Sequence, residues 1–96
     1  MREIKDLPGL GLKSQEALAT VGIHDESDLR AIGPLMAFYR LRLKGKEAGG
    51  SGPSLNFLYA MVGALEESSW LEVARTQREQ LLAELDSLEQ MELLFA

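Results

Sequence analysis

A chain of 96 residues, 46% apolar and without cysteine, has the size and composition of one small folded domain, which excludes a disulfide framework, a thiolate site and a disordered chain. No run approaches the ~18 apolar residues of a membrane span, and Met1 to Asp6 lacks the apolar region of a signal peptide, so the expected location is the cytoplasm. The net charge of −5 is unevenly spread, with residues 1–46 summing to +2 and residues 47–96 to −7. Such polarity can orient a protein on a polyanion, but +2 is a weak field once salt screens it. Acidic helices also simply keep a small protein in solution.

The first element is a turn over residues 6–14, Asp-Leu-Pro-Gly-Leu-Gly-Leu-Lys-Ser. Pro8 fixes φ on the way in, and Gly9 and Gly11 permit a positive φ or a close backbone approach. The first amides of the helix that follows have no intrahelical partner. Free N–H groups at a positive helix end can hold a phosphate; the alternative is a turn that only packs two helices. Lys13 to Val21 reads as a helix with Ala17, Leu18 and Val21 on one face and Gly22 as its terminator.

Asp25 is a good N-cap for a short second helix, with Asp28 at its third position and Leu29 and Ile32 turned inward. Gly33 stops it, and Pro34 opens a third helix reaching about Lys44, with Leu35, Phe38, Tyr39 and Leu41 apolar. Gly45 to Pro53 reads as a flexible connection inside one domain, because each half alone has too little core. Ser54 caps a fourth helix that runs to about Glu66. Its stripe of Leu55, Leu58, Val62 and Leu65, widened by Phe57, Tyr59 and Met61, marks the buried centre of the fold. Ala60, Gly63 and Ala64 are small there and let another element approach. Trp70 is expected as a core anchor beside that helix. Thr76, with Glu79 three residues on, offers a capping box for a last helix; one unbroken helix from about Ser69 is the alternative. The sum is an all-α fold over residues 1–96: a small orthogonal bundle of five or six helices with no strand.

The run Leu7-Pro8-Gly9-Leu10-Gly11, followed by Lys13-Ser14, resembles the hairpin of helix-hairpin-helix DNA-binding motifs. Met1 to Leu7 leaves little room for a full first helix. A longer ordered pattern resembles the C-terminal domain of the TfoX/Sxy competence regulators. It passes from the hairpin through Ala17-Leu18, Val21-Gly22-Ile23, Asp28-Leu29 and Ala31-Ile32-Gly33. It continues at Tyr39-Arg40-Leu41, at residues 54–60 (Ser-Leu-Asn-Phe-Leu-Tyr-Ala), at Gly63-Ala64-Leu65 and at Trp70. The resemblance spans roughly residues 4 to 82 and implies a single TfoX C-terminal-like domain standing alone. Its members are linked to the regulation of natural competence genes.

Catalytic chemistry is hard to place. One histidine and no cysteine exclude a His/Cys zinc site within the chain. Gly9-Leu10-Gly11 lacks the third glycine of a dinucleotide fingerprint, because Ser14 stands there, and it follows no strand. His24 lies in a turn beside Asp25 with no nucleophile indicated. The chain is therefore expected to be no enzyme and to use no cofactor or metal.

Two readings of function remain. In the first, the domain is a small regulatory or interaction module that contacts a protein partner or a second copy of itself. The candidate interface is the last helix, through Leu85, Leu88, Met91, Leu94 and Phe95. In the second, it binds DNA without sequence preference. Gly9, Leu10, Gly11 and Lys13 hold a phosphate, helped by the cluster Arg40, Arg42 and Lys44, of which Arg40 and Lys44 share a helix face. The same cations could merely satisfy a helix C-terminus.

Overall fold

The computed structural model describes residues 2–50 and 52–95, the side chain of Phe95 excepted. A single 3-10 turn over Ile4–Asp6 comes first and leads into α1 (Leu12–Ala19). That helix ends where the sequence marks it. The Gly22 amide donates to the Ala19 carbonyl at 3.2 Å and the Ile23 amide to the Leu18 carbonyl at 3.0 Å, with Gly22 at φ 83°. This paired closure needs a left-handed residue and brings Ile23 and Leu18 together as its apolar clasp; both are fully buried.

α2 (Glu26–Ile32) opens on Asp25, whose carboxylate accepts the Asp28 amide at 2.9 Å. The Asp28 carboxylate accepts the His24 amide at 2.9 Å in return, a reciprocal arrangement akin to a capping box. Gly33 ends α2 and Pro34 opens α3 (Pro34–Glu47). α3 runs on through Gly45 and Lys46, so the glycine-rich stretch is shorter as a connection than the sequence suggests. Its start is ordered by hydrogen bonds from the Gly49 and Gly50 amides to the Lys46 and Gly45 carbonyls, at 3.0 and 2.7 Å.

Ser54 occupies the N-cap of α4 (Leu55–Glu66), although its hydroxyl makes no capping bond. α5 is one unbroken helix, Trp70–Phe95, of 26 residues. At 1.5 Å per residue it is about 39 Å long, comparable with the longest dimension of the domain, 36 Å. Thr76 lies inside it, donating its hydroxyl to the Glu72 carbonyl, and the capping oxygen is that of Ser69, which accepts the Glu72 amide at 3.2 Å. Five α-helices and one 3-10 turn thus make the bundle, and the described residues contain no strand. No helix among them is long and apolar enough to cross a membrane.

α4 is the centre. Leu58, Met61 and Ala64 are fully buried, between Phe38 of α3 and Val73, Leu81 and Leu85 of α5. Full burial of each large side chain is worth about 1.5–3 kcal/mol. Gly63 faces the turn that joins α4 to α5, where a Cβ would stand 2.4 Å from the Ser68 carbonyl oxygen. Trp70 departs from expectation. It is 46% exposed and stands at the first turn of α5, while Val73 takes the buried place beside α4.

The N-terminal residues are latched to α2. Arg2 donates from Nε and Nη2 to the two carboxylate oxygens of Glu26, at 2.9 and 3.1 Å, and the Glu26 amide donates to the Arg2 carbonyl at 3.0 Å. Arg30 adds a bond from Nε to Glu26 at 3.0 Å and reaches the Leu65 carbonyl at 3.3 Å. Hydrogen bonds from Arg2 first, then from Arg30, hold the Glu26 carboxyl down at about 2, from an ordinary 4.5. A depressed carboxyl pKa stabilises the fold above the unfolded value and loses that contribution as the group protonates. The latch is therefore expected to be at full strength above pH 4.5 and to fade between 4.5 and about 2. Thermal melts across that range should show Glu26→Gln with a shallower pH dependence than the parent chain.

Candidate functional site

The hairpin is held by its own leucines. Leu7 and Leu10 point into the core, 2% and 9% exposed. The Leu10 amide donates to the Leu7 carbonyl at 3.1 Å, so it is spent inside the turn and faces no ligand. Gly9 takes the positive φ, 79°. Gly11 does not. It is the N-cap of α1 in extended backbone, has no side chain to bond the first amides, and a Cβ there would meet nothing within 4 Å. No acidic residue occupies the first turn of α1. The amides at this helix end are thus left open by an N-cap that packing does not require to be glycine. Lys13 beside them is exposed and forms no ion pair with the described residues. On its other side the hairpin meets α5. Pro8 and Gly9 share a shallow cavity of about 440 Å³ with Ser68, Ser69, Trp70 and the carboxylate-bearing Glu67. An anion placed against that side would face a like charge.

The second group of cations has internal partners. Arg40 donates from Nη1 to the Val21 carbonyl at 3.4 Å, and Lys44 from Nζ to the Thr20 carbonyl at 3.3 Å. Both, one turn apart on α3, close the carbonyl end of α1, where cations are favoured. Arg42 turns the other way, pairs with Glu89 of α5 and lies over the Phe38 ring at 5.6 Å. The structure therefore brings Gly9, Gly11 and Lys13 together. It sets Arg40 and Lys44 at the opposite end of α1, about 12 Å along the axis for its eight residues, and sends Arg42 to α5.

The apolar positions of α5 divide in the same way. Leu85 is buried and Leu88 half-buried, both packed on the bundle. Met91 and Leu94 are exposed, at 54% and 79%, and Leu93 joins them at 76%. The Phe95 side chain lies outside the described residues. After Glu89 every described side chain is exposed, with Glu92 and Leu93 bordering an open cavity beside Tyr39, Leu43 and Lys46 of α3.

One feature has no counterpart in any single segment of sequence. The corner between α2 and α3, the end of α4 and the middle of α5 enclose an open groove of about 550 Å³. Leu35, Met36, Leu65 and Leu88 form part of its floor, with Glu66 and Glu84 on its rim. Its walls come from three separate stretches of the chain, residues 32–36, 62–66 and 77–88, so only the periodicity of each helix hinted at it.

A family model described as the TfoX C-terminal domain matches residues 1–85. The chain belongs to the TfoX C-terminal domain family. It is 33% identical over 88 residues to the DNA transformation protein TfoX of Haemophilus influenzae, an alignment that takes in 92% of this chain and 38% of that protein. The chain thus spans well under half the length of this relative. Its fold matches that of an uncharacterized protein from Listeria monocytogenes, known from a triclinic crystal form, with a TM-score of 0.71 over 91% of this chain and 93% of that one. At 24% identity that likeness is one of fold alone. The matched TfoX C-terminal region stops inside α5, so Leu88, Met91, Leu93 and Leu94 lie beyond it.

Proposed function

We propose that this TfoX C-terminal domain is a cytoplasmic regulatory module, linked to competence or transcription control, that acts through protein contacts. The link rests on family membership and on the Haemophilus relative, whose name places it in DNA transformation. The observation that carries the contact is the exposed end of α5, where Leu93 and Leu94 are 76% and 79% accessible. Adjacent exposed leucines are uncommon on a surface that stays in water, and large apolar patches mark interfaces. A two-fold homodimer would bury the same patch twice. No catalytic step or cofactor belongs to this reading. Sedimentation across a wide concentration range is expected to show a mass that rises reversibly towards a dimer. Leu93→Glu with Leu94→Glu should abolish the rise and leave the thermal midpoint of the dilute monomer unchanged, since both side chains are outside the core. A wild-type chain that stays monomeric throughout contradicts the dimer.

A second reading, a DNA-binding module without sequence preference, is favoured by one observation: the open amides at the Gly11 N-cap with Lys13 beside them. Contacts there would be to phosphate and so would weaken with salt. Arg40, Arg42 and Lys44 add little to it while their internal partners hold them. Gly11→Asp separates fold from function, because a carboxylate N-cap fills the amides and stabilises the helix by a few tenths of a kcal/mol. On this reading, a labelled duplex binds the parent chain at low salt and binds neither Gly11→Asp nor Lys13→Glu in an anisotropy titration. No binding by the parent chain at low salt rejects it.

A further inference from the structure

We infer that the groove between the α2–α3 corner, α4 and α5 is a docking site for a cationic amphipathic helix of a partner protein. The inference rests on the interaction-module reading and names the partner's chemistry. The groove, about 550 Å³ and open to solvent, has an apolar floor built from three separate elements. Leu35, Met36, Leu65 and Leu88 are only part-buried there, so their apolar surface is available to an incoming side chain.

The rim settles the sign of the partner. Glu66 and Glu84 stand on it, and no lysine or arginine lines the groove. Gln77 and Gln80 also stand on the rim. Their amide groups, which could have served an anion, are turned onto those carboxylates: Gln77 Nε2 donates to Glu66 at 2.7 Å and Gln80 Nε2 to Glu84 at 3.4 Å. Arg30 comes near, reaching the Leu65 carbonyl, but its Nε is bonded to Glu26 and it does not line the groove. An apolar trough edged with carboxylates fits a helix that presents two or three apolar side chains at i, i+3 and i+4 or i+7, flanked by Lys or Arg. A second copy of this chain is the poorer fit. Its exposed apolar segment, Met91 to Leu94, carries Glu92 and follows Glu89, and would set like charges against Glu66 and Glu84.

The test uses the ¹⁵N-labelled full chain and two synthetic amphipathic helices, one of leucine and lysine and one of leucine and glutamate in the same pattern. The lysine helix is expected to shift the amides of Met36, Leu65, Gln80 and Glu84, with an affinity that falls as salt is raised. The glutamate helix should leave the spectrum unchanged. Glu84→Lys, at an exposed position, should weaken binding of the lysine helix by about fivefold, and Met36→Gln should weaken it through the floor. No shift, equal binding of the two helices, or indifference to both substitutions overturns the inference. Shifts confined to Met91 to Leu94 also overturn it while leaving the interaction-module reading intact, whereas a strictly monomeric chain removes the dimer and leaves the groove untouched.

Discussion

Gly63 stands in the most apolar helix of the chain and touches the backbone that follows that helix. A Cβ there would stand 2.4 Å from the Ser68 carbonyl oxygen and 3.2 Å from the Ser69 carbonyl carbon. These are backbone atoms, which cannot swing aside as a flexible side chain would. The same residue accepts the Ser68 amide at 2.8 Å through its own carbonyl. Glu67 completes the turn in the left-handed region, at φ 58°, a conformation that costs a non-glycine residue about 1 kcal/mol or more. One small residue thus lets α4 stop and the chain reverse at once. α5 is then laid along α4 with Val73, Leu81 and Leu85 in register with the core. The groove follows from this placement, since α4 and α5 supply two of its walls.

Charge is distributed to match. The basic half of the chain turns three of its α3 cations onto partners within the fold, the exposed Arg40 and Lys44 on the carbonyl end of α1 and Arg42 on Glu89. What remains outward at the hairpin is Lys13 and a set of uncapped amides. The acidic half puts carboxylates along α5 and at the end of α4, where they edge the apolar groove. The apolar surface edged with carboxylates is thus drawn from three elements and carries one sign, while the open amides lie at one helix terminus. That contrast favours protein contacts as the work of this domain.

Features written in neighbouring residues were legible before the fold was known. Asp25 with Asp28, Gly22 with Ile23, and Gly33 with Pro34 each carry their geometry in two to four consecutive positions, and each sets a boundary as expected. The all-α architecture followed from the helical spacing of the apolar residues. Features that depend on distant partners were not legible. Thr76 and Glu79 form a local capping signal that is overridden because Val73 and Leu81, on either side, are both buried against α4 in one continuous helix. Trp70 reads as core by composition, yet its position at the start of α5 puts it beside Pro8 and Gly9 at the surface. The partner of Arg42 lies 47 residues away. Leu85 and Leu88 pack on the bundle while Met91 and Leu94 stay exposed, a division along α5 that periodicity alone does not disclose.

The most direct test of this account is the equilibrium stability of Gly63→Ala, measured by urea denaturation. Helix propensity and packing predict opposite signs. Alanine in a helix interior is favoured over glycine by about 1 kcal/mol, whereas a methyl forced into a filled site costs about 1–3 kcal/mol, occasionally more. With rigid backbone 2.4 Å from the new atom, packing should win and the variant should be less stable by about 2 kcal/mol. A variant as stable as the parent, or more so, would contradict the close approach of α4 to its own turn, and with it the placement of α5 that builds the groove.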